Sequence, residues 1–241
     1  MRLQGLFFII FSLSLHCNAS EPKINVLIAS SLPEVVVKGF DLYKNLHLKK
    51  PLKKQYNGKK IIKFNCQSTR KATTQKPRLV ASMGTLSGVI DWNDQKYRGQ
   101  LLLVTSPEQD SCALVNEISL ETYISSLLSK EMRSDWPIEA LKAQAVAART
   151  YAYHKMQSKQ VSLDFGHESY YDLENSEKHQ VNGTLLDESN STKKAAKETL
   201  GKILLTKNGE LTPTFFHSKC GGRTLKPSQV WGGDGCRLSS R

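Results

Sequence analysis

From Ile24 to Ile118 the apolar positions come in short, β-branched runs broken by turn residues: INVLIAS (24–30), EVVVKGF (34–40), IIKFN (61–65), GTLSGVIDW (84–92), YRGQLLLVT (97–105) and CALVNEI (112–118). Runs of this length and composition read as strands, and Asn93-Asp94 reads as a turn between two of them. At Leu120 the period changes to steps of three and four, which last to about Met156 and predict helix. Ser134 and Asp135 are good caps, Pro137 suits a first helical position and Glu139 falls in the first turn, so a second helix is expected from about residue 136. Its inward face is Ile138, Leu141, Ala145, Ala148 and Ala152, and the small alanines allow close approach of another backbone. Trp136 at its start reads more readily as core than as part of a site.

Residues 157–191 are polar and irregular, after which Thr192–Leu200 reads as a third helix capped by Ser191 and stopped by Gly201. Asn208-Gly209 then joins KILLT to LTPTFF as a hairpin. No internal repeat is evident. The expected fold class is α+β: a β-rich N-terminal half, central Ala-rich helices, and a C-terminal helix and β-hairpin.

One acid stands out against this pattern. Leu120, Tyr123 and Leu127 are successive steps on one helical face, and the next position on that face is Glu131. A carboxylate there is expected to be poorly solvated, and poor solvation favours the protonated form that a general acid needs near neutral pH. The plainer alternative is a helix-end glutamate that is solvated or paired with Lys130 or Arg133.

Residues 1–19 combine a basic start, an apolar run from Leu6 to Leu15 and the small-residue pattern Cys17-Asn18-Ala19, which together read as a secretory signal peptide cleaved after Ala19. Export to the periplasm or cell envelope is therefore expected, with any membrane link peripheral. Cys66, Cys112, Cys220 and Cys236 remain after processing. In an oxidising compartment they allow one or two disulfides, with three full pairings open.

The net charge of +12 favours a polyanionic partner, the bacterial wall first among them for an exported chain. Seven lysines fall in residues 44–60, without arginine and with little aromatic interleaving. That composition argues against a single-stranded nucleic-acid surface and leaves either a solvated lysine loop or an anionic-polymer contact. Near the C-terminus, Gly221-Gly222 after His217-Ser218 gives a backbone able to approach a ligand closely. Residues 170–183 mix Tyr170, Tyr171, Asp172, Glu174, His179 and Gln180 in a loop, groups that suit a sugar cleft or an ordinary polar loop.

Several blocks together resemble the stage II sporulation protein D (SpoIID) family, which includes the LytB amidase enhancers. They are Leu120-Glu121-x-Tyr123, Glu131-Met132, the run Trp136-Pro137-x-Glu139 through Ala152, Tyr171-Asp172, Gln180, Phe216-His217-Ser218, Gly221-Gly222, Thr224 and Val230-Trp231-Gly232-Gly233. The resemblance covers roughly residues 22–233 and implies one peptidoglycan-acting domain over 20–241, β-rich at 22–118, helical at 119–156, and a loop with helix and hairpin at 157–241. The family usually continues beyond the tryptophan block, so a truncated C-terminus is expected here.

The activity implied is lytic transglycosylation of stem-peptide-free glycan strands with formation of 1,6-anhydro-N-acetylmuramic ends. The alternative is a non-catalytic wall-binding enhancer of an N-acetylmuramoyl-L-alanine amidase. On the resemblance Glu131 is the catalytic acid. Arg149, Tyr171, Gln180, His217, Ser218, Gly221 and Gly222 would bind glycan, with Arg149 pairing with Glu131 or holding a muramic carboxylate. No cofactor is required; some family members carry zinc, and Glu174, His179, His217 and Cys220 offer a chemically feasible ligand set. The expected partners are peptidoglycan strands and a cell-wall amidase, and not nucleic acid.

Overall fold

The computed structural model describes residues 21–47, 52–66, 77–105, 111–164, 170–175, 183–184, 188–216, 222–223, 225–226 and 229, with the backbone alone for 159–164. Eleven strands and three helices follow in the order β1 (Lys23–Leu32), β2 (Glu34–Phe40), β3 (Leu42–Leu46), β4 (Leu52–Gln55), β5 (Lys59–Asn65), β6 (Leu79–Thr85), β7 (Val89–Trp92), β8 (Gln95–Arg98), β9 (Gln100–Thr105), β10 (Cys112–Ser119), α1 (Leu120–Glu131), α2 (Ile138–Asp164), β11 (Leu173–Glu174) and α3 (Asn190–Glu198). The fold is α+β with a β-rich N-terminal half, as the sequence pattern leads one to expect. One sheet runs β11-β1-β10-β9-β6-β3-β4 and the other β5-β2-β7-β8.

Consecutive strands pass from one sheet to the other. β2 and β3 meet at Asp41, whose φ of 52° turns the chain, and β4 and β5 are joined around Gly58 at φ 73°. Asp41 N–H donates to Gly58 O at 3.1 Å, and the Gly58 N–H donates to Asp41 Oδ1 at 2.7 Å. The turn at Asn93-Asp94 has both residues at positive φ, 51° and 58°, as a two-residue hairpin between β7 and β8 demands. β3, β4 and β6 were not legible as strands; β3 and β4 fall largely within the lysine-rich stretch.

Alternation sorts the core into three layers. Val37, Leu42, Met83, Ile90, Leu101 and Leu103 close the space between the sheets, together with the disulfide Cys66–Cys112, both sulfurs buried. The disulfide selects one pairing from those the sequence left open. Leu102, Val104 and Val115, one residue out of phase, form a smaller cluster on the other face. At the end of the long sheet, Ile24, Val26, Ile118 and Leu173 pack against α1, α2 and α3.

The helices form where caps and apolar faces coincide. Ser119 caps α1, its hydroxyl accepting from Thr122 N–H. α2 buries Leu141, Ala145, Ala148 and Ala152 completely, and Ile138 partly, on the expected face. α3 starts two residues before the expected position because Ser189 and not Ser191 is the cap: Ser189 and Thr192 exchange side-chain to backbone hydrogen bonds at 3.1 and 3.2 Å. The hairpin expected after Gly201 is reduced to one bridge, Leu205 with Leu211, closed by Thr206 N–H to Glu210 O with Gly209 at φ 80°. Trp136 is half exposed and so not core.

Candidate functional site

Glu131 is the last residue of α1. The face it continues is as expected, with Leu120, Tyr123 and Leu127 buried, but Glu131 itself is exposed. Its expected poor solvation is therefore corrected. The helix stops there, Met132 takes an extended conformation, and the last helical position lies beyond the layer that Leu127 and Leu128 close. Arg133 is not its partner, because its guanidinium binds both oxygens of Asp135 at 3.1 and 2.7 Å.

The carboxylate still acts on the core beneath it. Tyr123 is fully buried, and its phenol is pushed well above the ordinary range, first by burial, then by the negative charge of Glu131 and then by Tyr151. Tyr151, on α2, meets the ring of Phe215 edge-on at 6.1 Å between centroids. The segment bearing Phe215 is tied along α2: Leu204 N–H donates to Thr150 Oγ1 at 2.9 Å and Thr214 Oγ1 donates to Ala147 O at 2.6 Å. Tyr123 thus lies within electrostatic reach of both Glu131 and Tyr151, and Tyr151 touches Phe215, two residues before His217. Tyr151 and Phe215 were missed as site residues; the Tyr151 position in the Ala-rich run was the one available signal.

Arg149 is corrected more sharply. Its side chain is buried at 1% exposure. Nε and Nη2 bind Glu121 Oε1 and Oε2 at 2.8 and 2.7 Å, and the remaining donors reach Lys202 O, Ala196 O and Thr199 Oγ1. A guanidinium has five N–H donors in a fixed fork, and here they join α1, α2 and the end of α3, leaving none for Glu131 or for a muramic carboxylate.

Tyr171 packs against Leu102, Val104 and Val115 on the sheet face opposite the helices, and its hydroxyl donates to Glu174 Oε1 at 3.1 Å. That places it apart from Glu131, which corrects its assignment to the same groove. Asp172 fastens the loop: its Oδ2 accepts from Asn25 N–H, and its own N–H donates to Asn25 O, both at 2.7 Å. Further along, Gly183 lies so close to α1 that a Cβ would run into Ser126 O. The backbone at Gly183 is thereby pressed on the middle of the helix that ends in Glu131.

Gln180, His217, Ser218 and Gly221 lie outside the described residues. Gly222 is described and adopts φ 93°, the left-handed region for which the diglycine was singled out. Of the zinc set, His179, His217 and Cys220 also lie outside the described residues, and only Glu174 is placed. The described residues also form an open groove of about 340 Å³ between α1 and α3, floored by Thr122 and Ser125 and edged by Arg98, Glu188 and Lys197. None of the expected site residues lines it.

Residues 108–205 match the family model described as stage II sporulation protein, SpoIID. They are a SpoIID domain. The whole of α1, α2 and α3, with Glu131, Arg149 and the Tyr171 loop, falls within it. The chain is also similar to an uncharacterized protein of Brachyspira hyodysenteriae, 36% identical over 148 residues, which is 61% of this chain and 36% of that protein. It is similar to an amidase enhancer of Bacillus subtilis, 36% identical over 108 residues, which is 45% of this chain and 13% of that protein. The chain thus spans about a third and about an eighth of these relatives' lengths. The strands β1 to β9 lie before the matched family segment.

Proposed function

We propose that the protein binds cell-wall glycan through its SpoIID domain and stimulates an N-acetylmuramoyl-L-alanine amidase. The observation that carries this reading is the exposure of Glu131. A lone general acid needs a sheltered carboxyl, whereas a binding surface is served by an accessible one. The similarity to an amidase enhancer supports the same choice. On this reading Glu131, with Tyr123 and Tyr151 behind it, accepts hydroxyl hydrogen bonds from sugar units, and the segment following Phe215 contributes His217 and Ser218. The amidase gains because strands held by one protein are presented to the other.

A second reading, lytic transglycosylation, is supported by one feature: a carboxyl, Glu131, ends α1 within the segment that matches SpoIID, at the position where the family resemblance puts the catalytic acid. In that scheme Glu131 donates its proton to the glycosidic oxygen leaving N-acetylmuramic acid. As a carboxylate it then takes the proton of that sugar's 6-hydroxyl as O6 bonds to C1, closing the 1,6-anhydro ring without water. One carboxylate suffices, unlike the paired acids of glycoside hydrolases.

Purified protein incubated with denuded glycan strands, followed by mass spectrometry of the products, separates the two. Anhydro-ended fragments that vanish in Glu131→Gln establish the second reading. Their absence, with glycan bound and amidase turnover raised, establishes the first. Exported localisation is part of both proposals, and appearance of the mature N-terminus after Ala19 in secreted material tests it.

A further inference from the structure

The positive charge of this chain is not spread over it. Between Asp41 and Asp91 the sequence carries ten lysines, two arginines and no acid, a surplus equal to the entire net charge of +12. The rest of the chain sums to zero, and residues 108–205 are net acidic, with 11 lysines and arginines against 15 acids. The structure gives part of this block a definite shape: β3 and β4 form an antiparallel pair at the edge of the long sheet, and β5 continues from β4 at the edge of the second.

Lys53, Lys54, Lys59 and Lys60 are exposed on these edge strands, with Lys44 half-buried beside them. None of the five forms an ion pair with a described residue. In the β3–β4 register Lys44 stands directly opposite Lys54. Like charges in that position repel, and no acid lies on either strand to offset them. Asp41, the nearest in sequence, spends Oδ1 on the Gly58 N–H.

We infer that this hairpin is a docking surface for a flexible, linear anionic polymer of the cell envelope. The lysines spread over as much as about 20 Å of chain. That exceeds a Debye length of roughly 8 Å at physiological salt, so one small anion cannot neutralise them while an extended polyanion can. Lysines without arginine act as point charges that follow a polymer without demanding planar, bidentate geometry. A single-stranded nucleic acid fits poorly because the tyrosines of the hairpin itself are not free to stack on bases: Tyr56 packs on the inter-sheet core and the Tyr43 hydroxyl donates to Gln100 Oε1. A membrane surface fits poorly as well. The exposed Phe40 and Ile61 are only two apolar side chains, and on their face Lys38 pairs with Asp94 and Lys63 with Glu34, which leaves Lys59, opposite Phe40, to attract an anionic headgroup.

The test uses the full chain with three probes: labelled poly(glycerol phosphate), labelled polygalacturonate, and vesicles containing phosphatidylglycerol. Affinity is measured from about 50 to about 200 mM salt for wild type, for Lys53→Glu/Lys54→Glu/Lys59→Glu/Lys60→Glu, and for a control changing Lys194, Lys197, Lys207 and Lys226 to Glu. The expected result is polymer binding whose logarithmic salt slope is shallower by about 3 in the hairpin variant and unchanged in the control. Over that range wild type then loses about sixty times more affinity than the hairpin variant. The polymer bound more tightly identifies phosphate or carboxylate as the source of charge. Lys54→Glu faces Lys44 with an opposite charge, so the fold should hold. Lys59→Gln/Lys60→Gln, with about half the slope change, covers the case in which it does not. Equal slopes in wild type and hairpin variant, an equal loss in the control, or binding to vesicles and to neither polymer would each overturn the inference. The assay contains neither amidase nor denuded glycan, so its outcome is independent of the proposed function.

Discussion

Replacing Arg149 tests whether this residue holds the SpoIID helices together or holds substrate. Arg149→Ala removes six hydrogen bonds and leaves Glu121, with a side chain 17% exposed, without its counter-ion. Removing one partner of a buried pair costs about 3–5 kcal/mol, because the remaining charge stays desolvated. For a chain of this size each kcal/mol lowers the melting temperature by roughly 2–4 °C, so a drop of about 6–20 °C is expected by calorimetry or thermal circular dichroism. Arg149→Lys should recover little of it, since an ammonium cannot reproduce the fork. Arg149→Met/Glu121→Met removes both charges and should be less destabilised than the sum of the single changes, a coupling readable from a double-mutant cycle. A melting temperature within about 1 °C of wild type, together with lost glycan binding, would refute the assignment and return Arg149 to the substrate.

Other consequences can be measured separately. Burial acts to raise the Glu188 carboxyl, but Arg98 and Lys193 outweigh it and hold the group below the ordinary value of 4.5. A lowered folded-state value stabilises the fold above the unfolded value and is lost as pH falls through the folded one. Glu188→Gln should therefore flatten the fall in melting temperature below about pH 4.5, and an unchanged acid limb counts against the pairing. The disulfide closes a loop of sequence separation 46, so Cys66→Ala/Cys112→Ala should lose about 4 kcal/mol in denaturant unfolding. Gly183→Ala drives a methyl into Ser126 O and should cost about 1–3 kcal/mol or lift the loop off α1, seen as lost hydrogen-exchange protection in α1.

The parts of this fold that were legible in the sequence are those governed by local pattern. The apolar faces of α1 and α2, the Asn93-Asp94 turn and most strands follow from periodicity and turn chemistry. β3 and β4 were hidden because Lys44, Lys53 and Lys54 occupy positions where a strand usually alternates apolar residues, and β6 because Ser82 and Gly84 interrupt its apolar run. The cap of α3 was misplaced since Ser189 and Ser191 offer the same hydroxyl, and only the reciprocal bonds with Thr192 decide between them.

Within the site, Glu131 was found from helical phase, but phase does not reveal where a packed layer ends. Arg149 could not be read at all: its partner Glu121 lies 28 residues away and its other acceptors lie on or just past α3. Tyr171 was misjudged because the side of the sheet it takes depends on the register of β11 with β1.

The most direct test of the central claim is the rate at which an N-acetylmuramoyl-L-alanine amidase releases stem peptides from peptidoglycan, with and without this protein. The expected result is a clear increase that needs the SpoIID domain, no anhydro-muropeptides from the protein alone, and an increase retained at least in part by Glu131→Gln. An unchanged amidase rate, together with anhydro-ended products that disappear in Glu131→Gln, would contradict it.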